Sequence, residues 1–282
     1  MQQPPLDDIR ARFAAAPWEA IAPTSLGVAR KVPSMLSETE RKLYFWAARD
    51  WAQGRGAIVD LGCFAGGSTA CLAEGQRQAG HGAPIHGYDR FTATSGVKKR
   101  VLQPAGIPPF RGRDILPVAQ ALLSPWSDRV TLHPGEIEEN GWHGGPIEIL
   151  VLDACKSTEA IDRMSQTFYP ALIAGGALVI QQDYFHWRQP WIAAQMERLA
   201  DHFVPLAPCP DSTMIFFCRK PPDAAALVRA ACTRMRDKDL IAGVQSARAR
   251  LAGFGMTDRF DHMIAAIRAN PGQRIAWRFE RP

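Results

Sequence analysis

The residues most able to do chemistry lie in segment 59–69, where an acid and three glycines stand close together. Glycines let the backbone turn sharply and approach a ligand, and the free amides of a helix N-terminus can bind a carboxylate or a phosphate. A dinucleotide-binding turn needs the pattern Gly-x-Gly-x-x-Gly. Here Asp60 precedes Gly62 and Gly66 in a Gly-x-x-x-Gly pattern. The segment therefore predicts a ligand-binding turn and weakens the case for a nicotinamide cofactor.

A second acid, Asp89, directly follows the next apolar run, residues 84–88. An acid at the end of such a strand can accept hydrogen bonds from both ribose hydroxyls of a nucleoside. Parallel α/β sheets bind ligands beyond the carboxyl ends of their strands, so Asp60 and Asp89 support the same interpretation. Capping of loops by the two carboxylates is the structural alternative.

Short apolar runs alternate with helical segments from residue 57 onwards. We predict strands at 57–61, 84–88, 129–133, 147–152, 177–180, 203–206 and 213–218. Helices are expected at 68–78, at 114–123, from 153 through 172, and at about 190–202. Continuous apolar strands between helices indicate an α/β sheet covered on both faces, and the last two runs suit an antiparallel pair at one edge.

Helical flanks are predicted on both sides of this sheet. Ser37 begins a capping box with Glu40, and after Pro222 the segments 224–251 and 258–269 have helical patterns. We expect an N-terminal helical flank at 1–55, a ligand-binding domain at 56–220 and a C-terminal extension at 221–282.

The net charge of +5 belongs entirely to that extension. Residues 1–222 carry 22 basic and 22 acidic side chains, whereas residues 223–282 carry 11 basic and 6 acidic ones. Clustered cations can bind nucleic acid, but a solvated basic helical face explains them more simply, so nucleic acid is not the expected partner.

The cysteines and the hydropathy indicate the compartment. Six cysteines form no CxxC pair, no signal peptide is apparent, and no apolar run reaches the roughly 20 residues of a membrane helix. These features predict a cytoplasmic protein with reduced thiols and no membrane segment.

The ordered motifs of residues 58–218 resemble those of the class I S-adenosylmethionine-dependent methyltransferases. The resemblance implies a Rossmann-like seven-stranded sheet, mostly parallel with an antiparallel edge strand. It also implies that the turn after Asp60 holds the methionine part of the cofactor, with Ser68 at its carboxylate, Asp89 at the ribose and residues 135–137 against adenine. The implied cofactor-binding residues are Asp60, Gly62, Cys63, Phe64, Gly66, Ser68, Asp89, Arg90, Glu136, Ile137 and Asp153.

Two subgroups of that superfamily are similar to this sequence. Gly66-Gly67-Ser68 and the residues from Tyr169 to Tyr184 resemble the macrocin O-methyltransferase group, which modifies sugars on natural products. Residues 153–156 resemble the Asp-x-x-Lys of the catechol O-methyltransferase group, which implies Asp153 as a magnesium ligand and Lys156 as an aid to deprotonation.

The pattern departs from the metal-dependent relatives after the following strand. Those relatives have two adjacent Asp or Asn ligands, whereas this chain has Gln181-Gln182-Asp183. Asp153, Gln182 and Asp183 could still hold Mg²⁺, an oxygen-seeking ion that often takes only one or two protein carboxylates. We leave open whether the site binds a metal.

Methyl transfer to a hydroxyl needs alignment and a proton acceptor. Lys156 and His186 are the candidate bases, because histidine titrates near neutral pH and lysine does so once its pKa is lowered. For each, a purely structural position is the alternative: a solvated lysine in a first helical turn and a packed loop histidine.

Two further segments are candidates for binding the methyl acceptor. The aromatic stretch 184–191 could stack on a sugar or an aromatic ring, or could anchor the next helix. Segment 90–109 is expected to be a long loop or lid. The basic side chains of the mobile stretch 90–113 could close over the cofactor, grip an anionic acceptor or simply be solvated.

Together these features predict an S-adenosylmethionine-dependent enzyme that methylates a hydroxyl of a small sugar-containing or natural-product acceptor. An NAD-dependent nucleotide-sugar dehydrogenase or epimerase is the alternative enzyme, and a non-catalytic nucleoside- or RNA-binding protein is the alternative outside catalysis. A homo-oligomer is compatible with the helical C-terminal extension.

Overall fold

A computed structural model describes residues 5–210 and 212–282. The strands of its sheet are β1 (Ala57–Leu61), β2 (Ile85–Asp89), β3 (Val130–Pro134), β4 (Ile147–Leu152), β5 (Leu178–Gln181), β6 (Phe203–Cys209) and β7 (Thr213–Cys218). They are ordered β3-β2-β1-β4-β5-β7-β6. β1, β2 and β3 pair in parallel, whereas β7 is antiparallel to both β5 and β6. The predicted seven-stranded, mostly parallel Rossmann-like sheet is confirmed, with the reversed strand β7 next to the edge strand β6.

Helices occupy the connections and both flanks. They are α1 (Leu6–Ala14), α2 (Glu38–Trp46), α3 (Gly67–Ala79), α4 (Ser95–Val97), α5 (Leu116–Leu123), α6 (Thr158–Phe168), α7 (Pro190–Arg198), α8 (Ala224–Ala230), α9 (Asp237–Arg250) and α10 (Thr257–Ala269). None of the helices in the described part of the chain is long and apolar enough to cross a membrane.

One compact unit comprises residues 15–150. The predicted capping box of α2 is confirmed, because the Glu40 amide donates to Ser37 Oγ at 3.4 Å and the Ser37 amide donates to the Glu40 carboxylate at 2.9 Å. α2 packs on α3, where a Cβ on Gly75 would lie 2.2 Å from the Phe45 carbonyl oxygen. Of the predicted 1–55 flank, residues 1–4 lie outside the described residues.

The start of β1 in this unit is fixed by a buried acid. The Glu148 carboxylate on β4 accepts hydrogen bonds from the amides of Gln53 and Arg55 at 2.9 and 3.0 Å. Buried main-chain amides need partners, so this carboxylate anchors the chain as it enters the sheet.

The other compact unit comprises residues 5–14 and Val151–Pro282. Within it α1 packs on β6, and α9 packs on α7. The approach of α9 requires Gly243, because a Cβ there would lie 2.8 Å from the Cβ of Ala194. The units divide after Leu150. The domain boundaries predicted after residues 55 and 220 stay predictions.

The predicted continuous helix at 224–251 is wrong, because α8 and α9 are separated by a short 3₁₀ turn at Cys232–Arg234. Asp162 of α6 is buried, and its carboxylate accepts from the amides of Cys232 and Thr233 at 2.7 and 2.9 Å. It also accepts from the Thr233 hydroxyl at 2.8 Å and from Gln195 Nε2 at 3.2 Å. A tertiary hydrogen-bonding partner thus stabilises a break that the local pattern does not predict.

Candidate functional site

The turn from β1 into α3 has the backbone that the glycine pattern predicts. Gly62 and Gly66 adopt φ values of 102° and 94°, a region that side chains rarely allow. A Cβ on Gly66 would also lie 2.7 Å from a Leu123 methyl carbon. α3 therefore begins directly at the turn, and its first-turn amides have no partners within the helix.

Asp60 is fully buried beneath this turn. Its Oδ2 accepts hydrogen bonds from the hydroxyls of Ser68 and Thr69, both at 2.7 Å. Burial raises the pKa of Asp60 to about 6, against the lowering effect of the two hydroxyls. Within the described part of the chain Oδ1 has no hydrogen-bonding partner. The site thus contains a buried carboxylate oxygen that a positively charged ligand group would satisfy.

Asp89 is held by two main-chain amides. Its Oδ2 accepts from the Phe64 amide at 3.0 Å, and its Oδ1 accepts from the Phe91 amide at 2.7 Å. Both phenylalanines have φ 51°, which is uncommon outside glycine. Burial raises the pKa of Asp89, whereas these amides lower it. A carboxylate has about four lone-pair positions, so two remain for ligand hydroxyls.

The turn after β3 lies beside Asp89, because the Gly135 amide donates to the Asp89 carbonyl oxygen at 3.1 Å. Ile137 is buried, whereas Glu136 is half exposed and lies 3.8 Å from Arg90 in an exposed ion pair. The structure therefore brings the predicted residues Arg90, Glu136 and Ile137 to the same strand ends as Asp89. Cys63 is buried, and burial raises the pKa of its thiol well above the ordinary value, so this thiol is neutral.

The predicted long loop at 90–109 is corrected by the structure, because α4 continues into a π-helical turn at Lys98–Leu102. Lys98 is buried and donates to the carbonyls of Phe110 and Gly112 at 2.8 and 2.7 Å. Its ammonium also lies 4.2 Å from the centre of the Phe110 ring. Lys98 is thus a packing residue that sequence reasoning treated as one of several loop cations.

In the other unit Lys156 bridges two carboxylates. Its Nζ donates to Asp153 Oδ1 at 3.1 Å and makes a shorter contact with Asp183 Oδ2. Burial lowers the pKa of Lys156, but the two carboxylates more than offset this and raise the pKa above its ordinary value. Lys156 is therefore an ammonium at neutral pH, which does not favour its expected role as a base.

The same contacts decide whether Asp153, Gln182 and Asp183 fit a divalent metal. The Lys156 ammonium lies between the two carboxylates, where it would repel a second cation. Gln182 is buried, and its main-chain amide donates to the Leu152 carbonyl oxygen at 3.0 Å. Among the described residues no group of three or more His, Cys, Asp or Glu side chains could hold a metal ion. The arrangement does not fit Mg²⁺.

His186 accepts a hydrogen bond at Nδ1 from the Arg188 amide at 3.2 Å. Burial is the main cause that lowers the pKa of His186, and nearby cations act in the same direction. The neutral ring therefore carries its proton on Nε2 and is a donor there. Service as a base would require His186 to exchange the Arg188 contact for another.

The aromatic stretch 184–191 is mainly structural. Tyr184 and Phe185 are buried and contact Phe260 edge-on, with ring centroids 6.2 and 5.5 Å away. Trp187 is half buried and stacks on His262 with centroids 5.4 Å apart. This stacking leaves little of the stretch available for an acceptor.

The C-terminal tail holds the Lys156 loop, a contact that sequence reasoning missed. The Ala276 amide donates to the Lys156 carbonyl at 2.9 Å, and the Thr158 amide donates to the Arg274 carbonyl at 3.2 Å. On the other side, the buried Trp191 donates from its indole to the Cys155 carbonyl at 2.9 Å. These pairs are distant in sequence, so no local pattern could have indicated them.

No protein-family model matches the sequence, and no curated protein is significantly similar to it. Among solved structures, the SAH-bound methyltransferase PaMTH1 of Podospora anserina has 14% identity and a TM-score of 0.41, covering 96% of this chain and 91% of that chain. A putative caffeoyl-CoA O-methyltransferase from Staphylococcus aureus has 11% identity and a TM-score of 0.45, covering 76% and 99%. Cofactor-bound Rv0187 from MTB has 18% identity and a TM-score of 0.44, covering 78% and 100%. Because these TM-scores are below 0.5, they assign no function, and the case for one depends on the site.

Proposed function

We propose that this chain is an S-adenosylmethionine-dependent methyltransferase that methylates a hydroxyl of a small sugar-containing or natural-product acceptor. The observation that supports it most is the pair of acids at the ends of β1 and β2, of which Asp60 is buried and Asp89 is partly exposed. Asp60 has a carboxylate oxygen without a described partner, and Asp89 is aligned by two amides. A ligand with a cationic part and a ribose would satisfy both.

The residues present fit S-adenosylmethionine. Asp60 would accept from its ammonium group, Asp89 from its ribose hydroxyls, and the first-turn amides of α3 would face its carboxylate. When bound, the cofactor supplies an activated methyl group whose sulfonium is a good leaving group. Ser68 already donates to Asp60, so we assign it to holding that acid in place. The expected contact of Ser68 with the methionine carboxylate would then be made by the main-chain amide of Ser68.

The chain must also bind and align the acceptor oxygen. Lys156 and His186 are the polar groups proposed for this role. Both have N–H groups, so each would orient a hydroxyl by donating to its oxygen. The proton would leave to water or to His186 after Nδ1 is released from Arg188. The hydroxyl acceptor itself is an inference from the subgroup resemblance.

The alternatives have less support from the geometry. An NAD-dependent enzyme would need the pattern Gly-x-Gly-x-x-Gly, and the turn after Asp60 has Gly-x-x-x-Gly instead. Nucleic-acid binding is supported only by the basic composition of the extension, and three of its arginines, Arg248, Arg250 and Arg274, lie 2.7–2.8 Å from carboxylates of Asp261, Glu197 and Asp237.

The proposal is tested by transfer of a labelled methyl group from S-adenosylmethionine to a panel of sugars, phenols and nucleotide sugars. We expect label in at least one hydroxyl compound, and loss of that transfer in Asp89→Asn. The matched control is Asp128→Asn, which changes an exposed acid of the same unit. Equal transfer by the wild type and Asp89→Asn, or no transfer together with no binding of S-adenosylhomocysteine, would contradict the proposal.

A further inference from the structure

We propose that Lys156 is the resident cation of the Asp153–Asp183 site and that its ammonium takes the place of a divalent metal. The site belongs to the proposed methyl-transfer function, but the inference concerns only how its negative charge is balanced. The supporting observation is that Lys156 Nζ lies within hydrogen-bonding distance of both Asp153 and Asp183, which are 30 residues apart in the chain.

Charge and donor chemistry favour the ammonium over a metal. Lysine presents three N–H donors and no lone pair, so it satisfies carboxylates but cannot ligate a metal. Two carboxylates and one ammonium leave a net charge of −1, which attracts a divalent ion far less than two free carboxylates would. A metal could therefore enter only after Lys156 left.

The loop gives Lys156 little freedom to leave. The Lys156 amide donates to the Ala154 carbonyl at 2.8 Å, and the Lys156 carbonyl accepts from Ala276 at 2.9 Å. The preceding carbonyl, that of Cys155, accepts from the buried indole of Trp191 at 2.9 Å. With both sides of the residue tied down, only the side chain could rotate out, and that rotation would break both ion pairs.

The arrangement also bears on the acceptor, provided that the proposed function holds. The carboxylates engage two N–H groups of Lys156, which leaves the third for an acceptor oxygen. One N–H contacts one oxygen, whereas a metal ion binds two neighbouring oxygens together. An acceptor held in this way needs one hydroxyl at the reacting position, and a vicinal diol is not required.

Manganese binding tests the inference without any activity measurement. Free Mn²⁺ is followed by electron paramagnetic resonance during titration of the wild type and of Lys156→Met, which shortens the side chain by one atom and removes the charge. We expect negligible binding by the wild type and a single new site in Lys156→Met, with affinity at least roughly tenfold higher. Asp183→Asn in the Lys156→Met background should abolish that site, which locates it.

Circular dichroism checks that each variant is folded, and Lys156→Leu, which adds no metal ligand, replaces Lys156→Met if the latter is not. Wild-type binding as tight as that of the folded variant would overturn the inference. Absence of a new site in a folded variant would overturn it as well. Titration with S-adenosylhomocysteine measures cofactor binding separately. Failure of the proposed function can therefore be distinguished from failure of the inference about Lys156.

Discussion

At the scale of single residues, the site contains a carboxylate, Asp60, with an oxygen that lacks a described hydrogen-bonding partner, and a second carboxylate, Asp89, that is held by residues with strained backbone. Asp60 is buried, and one of its oxygens has no hydrogen-bonding partner among residues 5–210 and 212–282, whereas Asp89 is held by two residues with left-handed backbone. Both features cost free energy in the empty protein, of the order of 1–3 kcal/mol each. Such costs persist where they prepare a site for a ligand, which is how we interpret them here.

Asp60→Asn should make the empty protein more stable and the cofactor complex weaker. Burial raises the Asp60 pKa from 3.8 to about 6, so the folded state favours the protonated acid. The stability that this protonation contributes is present below about pH 4 and is lost as the pH rises through 6. Asparagine does not titrate, so relative to wild type the variant should gain up to about 3 kcal/mol between pH 4 and pH 7.

Urea unfolding of both proteins across that pH range measures the gain, and calorimetric titration at pH 7 measures the affinity for S-adenosylhomocysteine. A stability difference that does not change with pH would refute the assigned protonation. Unchanged affinity would refute the role of Asp60 in binding.

At the scale of elements, the first turn of α3 is packed against the N-terminal flank of its own unit. A Cβ on Gly67 would lie 2.4 Å from the Pro33 carbonyl oxygen and 2.5 Å from the Ser34 Cβ. Gly67→Ala should therefore push residues 33–34 away and cost about 1–3 kcal/mol of unfolding free energy. Gly82→Ala is the control, because its Cβ would meet nothing within 4 Å. Equal melting temperatures of the two variants would show that this packing is not needed.

The C-terminal extension depends on Asp162 of α6. Asp162→Ala leaves the amides of the buried Cys232 and the exposed Thr233 without their acceptor, and we expect a loss of about 1–3 kcal/mol of unfolding free energy. Glu159→Ala on the same helix removes only an exposed ion pair with Arg163 and should cost less than about 0.5 kcal/mol. Urea unfolding gives both values, and hydrogen exchange at Cys232 and Thr233 shows whether the extension detaches. Similar losses in the two variants would contradict the docking role.

An element could be predicted from the sequence where the residues that stabilise it lie within or next to it in the chain. β1 and α2 were predictable because an apolar run and the Ser37 capping box are local signals. The helical turns at 95–102 and the break at Cys232–Arg234 were not, because Lys98 and Asp162 stabilise them through residues far along the chain. In the site, Asp60 and Asp89 followed from strand ends, whereas the Lys156–Asp183 contact needed the folded chain.

At the scale of the whole molecule, three arginines of the C-terminal extension form ion pairs within their own compact unit. Arg248 and Arg274 pair with Asp261 and Asp237 of the same extension, and Arg250 pairs with Glu197 of α7. The tail beyond α10 also supplies the Ala276 amide to the Lys156 loop. The extension therefore supports the Lys156 site.

Binding of S-adenosylmethionine by Asp60 and Asp89, at the ends of β1 and β2, is the proposal on which the function depends. Its most direct test is calorimetric titration of the whole chain with S-adenosylhomocysteine, with NAD in a matched titration. We expect saturable one-to-one binding of S-adenosylhomocysteine and no heat of binding with NAD. Binding of NAD without binding of S-adenosylhomocysteine would contradict it.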